Sequence, residues 1–270
     1  MKMTVKTLPE LLDKMWIDYI EINPLADKIK KILLMEGEEI KNDHIALRTF
    51  NHPRLTIDIL AKPFISSGYS YVGDYHFTEK KLYAKHFEHT DENMPKIFIS
   101  ELKLQECSPK LQSMINELIE QIPLGLENQF DFTSIGRPWR VTTHIYQELL
   151  KESDYAAWVA AFGFRPNHFT VYINMLKKFH DIRVLNTFLK DQGFKLNSSG
   201  GEIKGSKEVY LEQSSTLANN IDVKFEDGEL VIPACYYEFA KRYPMKDGKI
   251  YQGFVAASAD KIFESTDKGQ

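Results

Sequence analysis

HIALRTF, residues 44–50, is a compact apolar run with β-favouring spacing, and its reading decides the fold. Side chains on a strand alternate between faces, so His44, Ala46 and Arg48 share one face while Ile45, Leu47 and Thr49 share the other. An imidazole and a guanidinium therefore project together. Burying that pair among apolar neighbours is costly unless each finds a polar partner, such as a metal or a carboxylate. The next segment, TIDILAKPFISSGY (56–69), has helical apolar spacing that ends near Gly68. Three β-like stretches follow: YSYVGDYHF (69–77), KLYAKHFEH (81–89) and KIFISELKL (96–104). The order is β-α-β-β-β.

The same order returns further along. HFTVYIN (168–174) alternates as a strand, and LKKFHDIRVLNTFLKDQGF (176–194) reads as a helix closed by Gly193. GGEIKGS (200–206), EVYLEQSS (208–215) and LVIPACYYEFAKR (230–242) then supply three strands, the last read as continuous. The identity between the halves is slight, so the repeat is one of pattern. The expected fold class is α+β: two β-α-β-β-β modules forming curved mixed sheets around a central metal cleft, with added helices. The expected division is an N-terminal helical flank over 1–42, a first module over 43–104, a helical connector over 105–166, and a second module with a C-terminal extension over 167–265. Residues 8–35 read as two short amphipathic helices separated at Pro24, and the connector carries helical segments at 111–122 and 155–164.

Composition narrows the function classes. Thirty-four basic and 38 acidic residues leave a formal charge of −4 with no basic stripe, which excludes a phosphate-backbone partner. The N-terminal stretch mixes apolar and charged residues, so neither a secretory signal nor a membrane span is expected. Cys107 and Cys235 stand far apart without a C-x-x-C pattern, which fits a reducing, cytoplasmic compartment and packing roles. A monomer or homodimer acting on a small molecule is expected.

Each module opens with a histidine, His44 and His168, the latter sharing a face with Thr170, Tyr172 and Asn174. Glu238, in the last strand, shares its face with Tyr236 and Ala240 in an apolar setting where an ionised carboxylate needs compensation. Two neutral imidazoles and one carboxylate with further positions open form the facial triad suited to non-haem iron(II). A single histidine on an apolar strand is more often a satisfied core residue; the matched positions favour the ligand reading. Glu101 is read as the first module's counterpart of Glu238. A second carboxylate on the metal would instead suit an oxygen-independent isomerase or lyase. A metal-free ligand-binding protein of the same fold is the other alternative. His86 and His89 are expected on opposite faces, at the surface or partly buried.

These residues carry a resemblance. Histidines on the first strands of both modules and a glutamate on the last strand are the ligand positions of paired β-α-β-β-β oxygenases similar to hydroxyphenylpyruvate dioxygenase and the vicinal-oxygen-chelate fold. More specifically, DHIALRTF (43–50), SSGGEIKGS (198–206), LEQSSTLA (211–218), YYEFAKR (236–242) and GFVAASADKIFESTD (253–267) resemble the 2-oxoadipate dioxygenase/decarboxylase family, also called 2-hydroxyglutarate synthase. The resemblance implies Fe(II) held by His44, His168 and Glu238, with Arg48 gripping a substrate carboxylate. It also implies dioxygen and a 2-oxo acid as co-substrates, 2-oxoadipate losing its 1-carboxylate as carbon dioxide to give 2-hydroxyglutarate. Arg48 suits that task because its planar fork donates two parallel hydrogen bonds. Lys204, Ser215 and Ser258 are further substrate-binding candidates; each also has a plain structural reading. The chain is shorter than the bacterial enzymes of this family, which leaves the metal site better defined than the choice of oxo acid.

Overall fold

The computed structural model describes residues 5–255 of the chain. Proline in the first turn starts each of the first two helices, α1 (Leu8–Ile22) and α2 (Pro24–Met35), where a missing N–H leaves no hydrogen bond unmade. The first β-α-β-β-β unit consists of β1 (Asn42–Phe50), α3 (Ile57–Ile65), β2 (Tyr69–Phe77), β3 (Leu82–His89) and β4 (Lys96–Leu102). Helices α4 (Pro109–Glu120), α5 (Thr143–Glu152) and α6 (Asp154–Phe162) follow. The second unit comprises β5 (His168–Tyr172), α7 (Ile182–Asp191), β6 (Lys204–Ser206), β7 (Leu211–Ser215), the hairpin β8 (Asn220–Phe225) and β9 (Gly228–Pro233), and β10 (Glu238–Arg242).

The two units meet edge to edge. β1 lies antiparallel to β5, with Ala46 opposite His168 and His44 opposite Thr170, so the curved mixed sheets run on as one eight-stranded sheet, β2-β3-β4-β1-β5-β10-β7-β6. Within each half the first strand is parallel to the last, β1 to β4 and β5 to β10. The halves are thus related by a pseudo-twofold axis between β1 and β5.

One strand expectation needs correction. Residues 230–242 do not form a single strand; β9 ends at Pro233 and pairs only with β8, and β10 begins at Glu238 in the main sheet. Proline has no N–H to continue a ladder, and the chain uses 234–237 to pass from the hairpin to the sheet. The Trp158 indole N–H holds that passage by donating to the Ala234 carbonyl at 2.6 Å.

Helix α1 covers the face of the sheet that turns away from the opening histidines. Trp16 of α1 packs edge-on to Phe169, which alternates with His168 and Thr170 along β5 and so faces away from them. The Tyr19 hydroxyl donates to the Tyr236 carbonyl at 2.5 Å and ties α1 to the same side. Residues 155–162 of α6 are all buried, as an all-round apolar helix must be. No helix among the described residues is long and apolar enough to cross a membrane.

Candidate metal centre

His44 lies near the start of β1, His168 begins the neighbouring antiparallel β5, and Glu238 begins β10 on the far side of β5, so all three side chains reach one point on the sheet face. The Nε2 atoms of the two histidines are 3.3 Å apart. Glu238 Oε2 lies 3.3 Å from His168 Nε2, and its Oε1 lies 3.5 Å from His44 Nε2. Three mutually cis donors about 2.1 Å from one ion would stand about 3 Å apart, so the set fits a single divalent cation. Among the described residues this is the one cluster of three or more His, Cys, Asp or Glu whose donor atoms converge in this way, all within 4.8 Å of one another. All three residues are buried.

Burial governs their protonation. It pushes the Glu238 carboxyl up to about 8, against the hydrogen bond from Gln213 and the charges of Arg242 and Lys204. It also lowers both histidines, His168 well below its ordinary value, so the imidazoles present neutral nitrogen donors. A buried dication would reverse the balance at Glu238 by replacing its proton.

Each histidine is oriented by the residue before it. Asp43 accepts from His44 Nδ1–H at 2.7 Å, and Asn167 Oδ1 faces His168 Nδ1 at 3.1 Å. Burial alone would raise the Asp43 carboxyl, but the Arg242 guanidinium, through charge and hydrogen bonds, holds it well below the usual carboxylate range. An ionised Asp43 can only accept, which places the His44 proton on Nδ1 and turns the Nε2 lone pair into the cleft. Gln213 donates to Glu238 Oε1 at 2.6 Å and fixes the carboxylate in the same manner.

The other candidates divide. Arg48 is buried at one end of the cleft, its guanidinium stacked on α6 with its centre 5.1 Å from the Tyr155 ring and 4.9 Å from the Trp158 ring. Lys204 is also buried, donates to the Asn197 carbonyl at 2.8 Å, and stands opposite Gln213 in the ladder. Ser215 stands opposite Glu238. Ser258 lies outside the described residues. Glu101 is not the counterpart of Glu238. The pseudo-twofold maps Ala46 onto Thr170, whose ladder partners are Phe98 and Glu238 respectively, so Phe98 holds that place. Both Glu101 oxygens are committed elsewhere, one accepting from Asn51 Nδ2 at 2.7 Å and the other from the Ile57 N–H at the start of α3. His86 corrects a second expectation: it is buried, opposite Phe98 in β3, where its Nδ1 meets the Tyr75 hydroxyl at 2.9 Å.

Comparison with known proteins shows the family. The sequence matches the family profile of 2-oxoadipate dioxygenase/decarboxylase over residues 4–124 and 137–249. The chain belongs to this family. A chloroplastic 2-oxoadipate dioxygenase/decarboxylase of Arabidopsis thaliana is 33% identical over 283 residues, covering 95% of this chain and 76% of that protein. Hydroxyglutarate synthase from Oryza sativa, solved in complex with 2-oxoadipate, superposes with a TM-score of 0.92 at 34% identity, over 96% of this chain and 92% of its own. A Shewanella frigidimarina NCIMB 400 protein, solved under the provisional description of a hydrolase, is 52% identical with a TM-score of 0.90, over 94% of this chain and all (100%) of its own.

In this member of the 2-oxoadipate dioxygenase/decarboxylase family, sequence reasoning missed Asp43, Asn167 and Arg242. A signal for the first two was present: an acid or amide directly precedes the opening histidine of each half. Nothing local marks Arg242, which meets Asp43 across 199 residues of chain.

Proposed function

We propose that the chain is an iron(II)-dependent dioxygenase and decarboxylase that converts 2-oxoadipate and dioxygen to 2-hydroxyglutarate and carbon dioxide. The observation that carries the reading is the convergence of His44, His168 and Glu238 on one cleft whose symmetry-related position holds Phe98, so that three donors occupy one side of the site and the rest stays available. Membership of a family whose named relatives carry this activity supports the choice of substrate. Iron(II) there would supply chelation of the 1-carboxylate and 2-oxo group together with activation of dioxygen for oxidative loss of carbon dioxide.

The chain's own part is to bind, orient and exclude water. Asp43 and Asn167 hold the two imidazoles in the tautomer that directs Nε2 into the cleft. Gln213 holds the carboxylate of Glu238. Arg48, held against the rings of Tyr155 and Trp158, is the group suited to the distal carboxylate of a dicarboxylic oxo acid, since its planar fork matches two oxygens at once. Lys204 adds a second cation toward which a dicarboxylate is drawn, and Ser215 offers a hydroxyl to it. The low exposure of every described member of the set keeps water out and strengthens each electrostatic contact. We place the protein in the cytoplasm, a reducing setting with which the free, buried thiols of Cys107 and Cys235 agree.

The test is to load the protein anaerobically with iron(II) and 2-oxoadipate, admit oxygen, and follow oxygen uptake, carbon dioxide and 2-hydroxyglutarate. Stoichiometric consumption and formation are expected; absence of oxygen uptake with every C4 to C6 2-oxo acid would discard the assignment.

A further inference from the structure

Arg242 is an unusual arginine for a strand end: it is almost fully buried, and its donors are divided between two separate parts of the chain. Nε and Nη2 grip the two oxygens of Asp43 at 2.6 and 2.9 Å. Nη1 donates to the carbonyls of Tyr251 at 3.1 Å and Gly253 at 2.7 Å. Residues 251–254 therefore form a strap pinned by the same guanidinium that holds the carboxylate behind His44.

The strap ends on the cleft. Phe254 sets its ring edge-on to His44 at 4.8 Å, and the Arg242 guanidinium stands 5.2 Å from the same ring. His86 and Phe98 contact it, with ring centroids at 5.2 and 5.0 Å, so the ring packs on the Phe98 side of the cleft. The Phe254 N–H donates to the Tyr75 hydroxyl at 3.2 Å, whose partner in turn is His86. A closed circuit results: His44 to Asp43, Asp43 to Arg242, Arg242 to the strap carbonyls, and Phe254 back to His44.

We propose that Arg242 is a positioning residue that couples the orientation of His44 to the seating of strap 251–254, so that cation binding and strap closure favour one another. The proposal rests on the reading of His44 as a cation ligand. A cation on Nε2 holds the imidazole in the orientation that Asp43 already selects, and that orientation is the one against which Phe254 packs. Linkage then requires reciprocity: whatever the cation does to the strap, the strap does to cation affinity by the same factor. A lysine at 242 would keep a charge near Asp43 but lacks the fork that reaches the strap carbonyls at the same time.

The experiment uses the full chain freed of metal by chelation and cobalt(II) as a redox-stable probe. Cobalt affinity is read from its absorption bands, and strap order from hydrogen exchange of peptides spanning 250–255, with and without cobalt. In the wild type, cobalt is expected to slow strap exchange about tenfold. Arg242→Lys is expected to bind cobalt about 10- to 100-fold more weakly, as loss of an outer partner does, and to abolish the cobalt-dependent slowing. Tyr75→Phe and Phe254→Ala leave the Asp43–Arg242 pair intact, keep the test alive if the Arg242 variant does not fold, and should each weaken cobalt binding about 3- to 10-fold by reciprocity. Cobalt binding without any change in strap exchange, or wild-type cobalt affinity in both strap variants, overturns the coupling while leaving the metal-site reading intact. Failure of the wild type to bind cobalt overturns the metal-site reading, and the coupling with it.

Discussion

Phe98 occupies in the first half of the sheet the register position that Glu238 occupies in the second, Phe98 opposite Ala46 and Glu238 opposite Thr170. The two halves are alike in strand order and in their opening histidines, and they part at this position. An aromatic ring where symmetry would allow a second carboxylate leaves the cleft with two imidazoles and one acid.

Phe98→Glu tests whether that difference sets the chemistry. A fourth donor would complete a two-histidine, two-carboxylate set of the kind suited to oxygen-independent isomerases. Metal content, read by elemental analysis, should stay at the wild-type level, while oxygen uptake with 2-oxoadipate should fall at least about 100-fold as the positions for substrate and dioxygen are lost. Undiminished oxygen uptake would show that the position does not face the reacting groups.

Arg48→Lys separates substrate recognition from metal binding. Metal content should be unchanged, and KM for 2-oxoadipate should rise about 10- to 100-fold as the bidentate fork is replaced by a point charge. Steady-state kinetics beside metal analysis checks this. Metal loss equal to that of His44→Ala would assign Arg48 to building the site.

Glu101→Ala is expected to act on stability alone. Its carboxylate serves the Ile57 N–H at the start of α3 and the Asn51 amide, so its removal should cost about 1–3 kcal/mol in chemical unfolding. Cobalt affinity of the folded variant should match the wild type; a large drop would return Glu101 to the cleft.

Asp18, half-buried on α1, provides a pH test remote from the cleft. Burial pushes its carboxyl up to about 6, against the charges of Arg165 and Lys14, and its Oδ2 makes no hydrogen bond among the described residues. The folded value lies above the ordinary one near 3.8, so the folded state binds the proton more tightly than the unfolded state. Its contribution is therefore fully favourable below about pH 4 and is lost as pH rises through about 6. Asp18→Asn should gain roughly 1 kcal/mol at pH 7.5, after allowance for solvent screening, and nothing at pH 4. Thermal unfolding at the two pH values reads the difference; an equal effect at both would remove titration as the cause.

Legibility differed from residue to residue. The alternation of HIALRTF and HFTVYIN placed each opening histidine on a definite face, because the period of a strand is a local property of the backbone. Residues 230–242 read as one strand because apolar runs on both sides of Pro233 look alike, and only the missing ladder partner reveals the break. Glu101, like Glu238, lies in the last strand of its own unit, whereas ladder register, which depends on contacts with β1, gives the matching place to Phe98.

The sequence by itself determined the order β-α-β-β-β in the first unit and, apart from the inserted hairpin β8–β9, in the second, together with the histidine that opens each unit and the glutamate near the end of the second. Only the tertiary structure decided that β1 would lie against β5, that Phe98 would face the cleft in place of an acid, and that Arg242 would find Asp43. Periodicity reports which way a side chain turns from its own strand. Which strand lies alongside, and which distant charge compensates a buried one, follows from how the whole sheet closes and what it must shield from water.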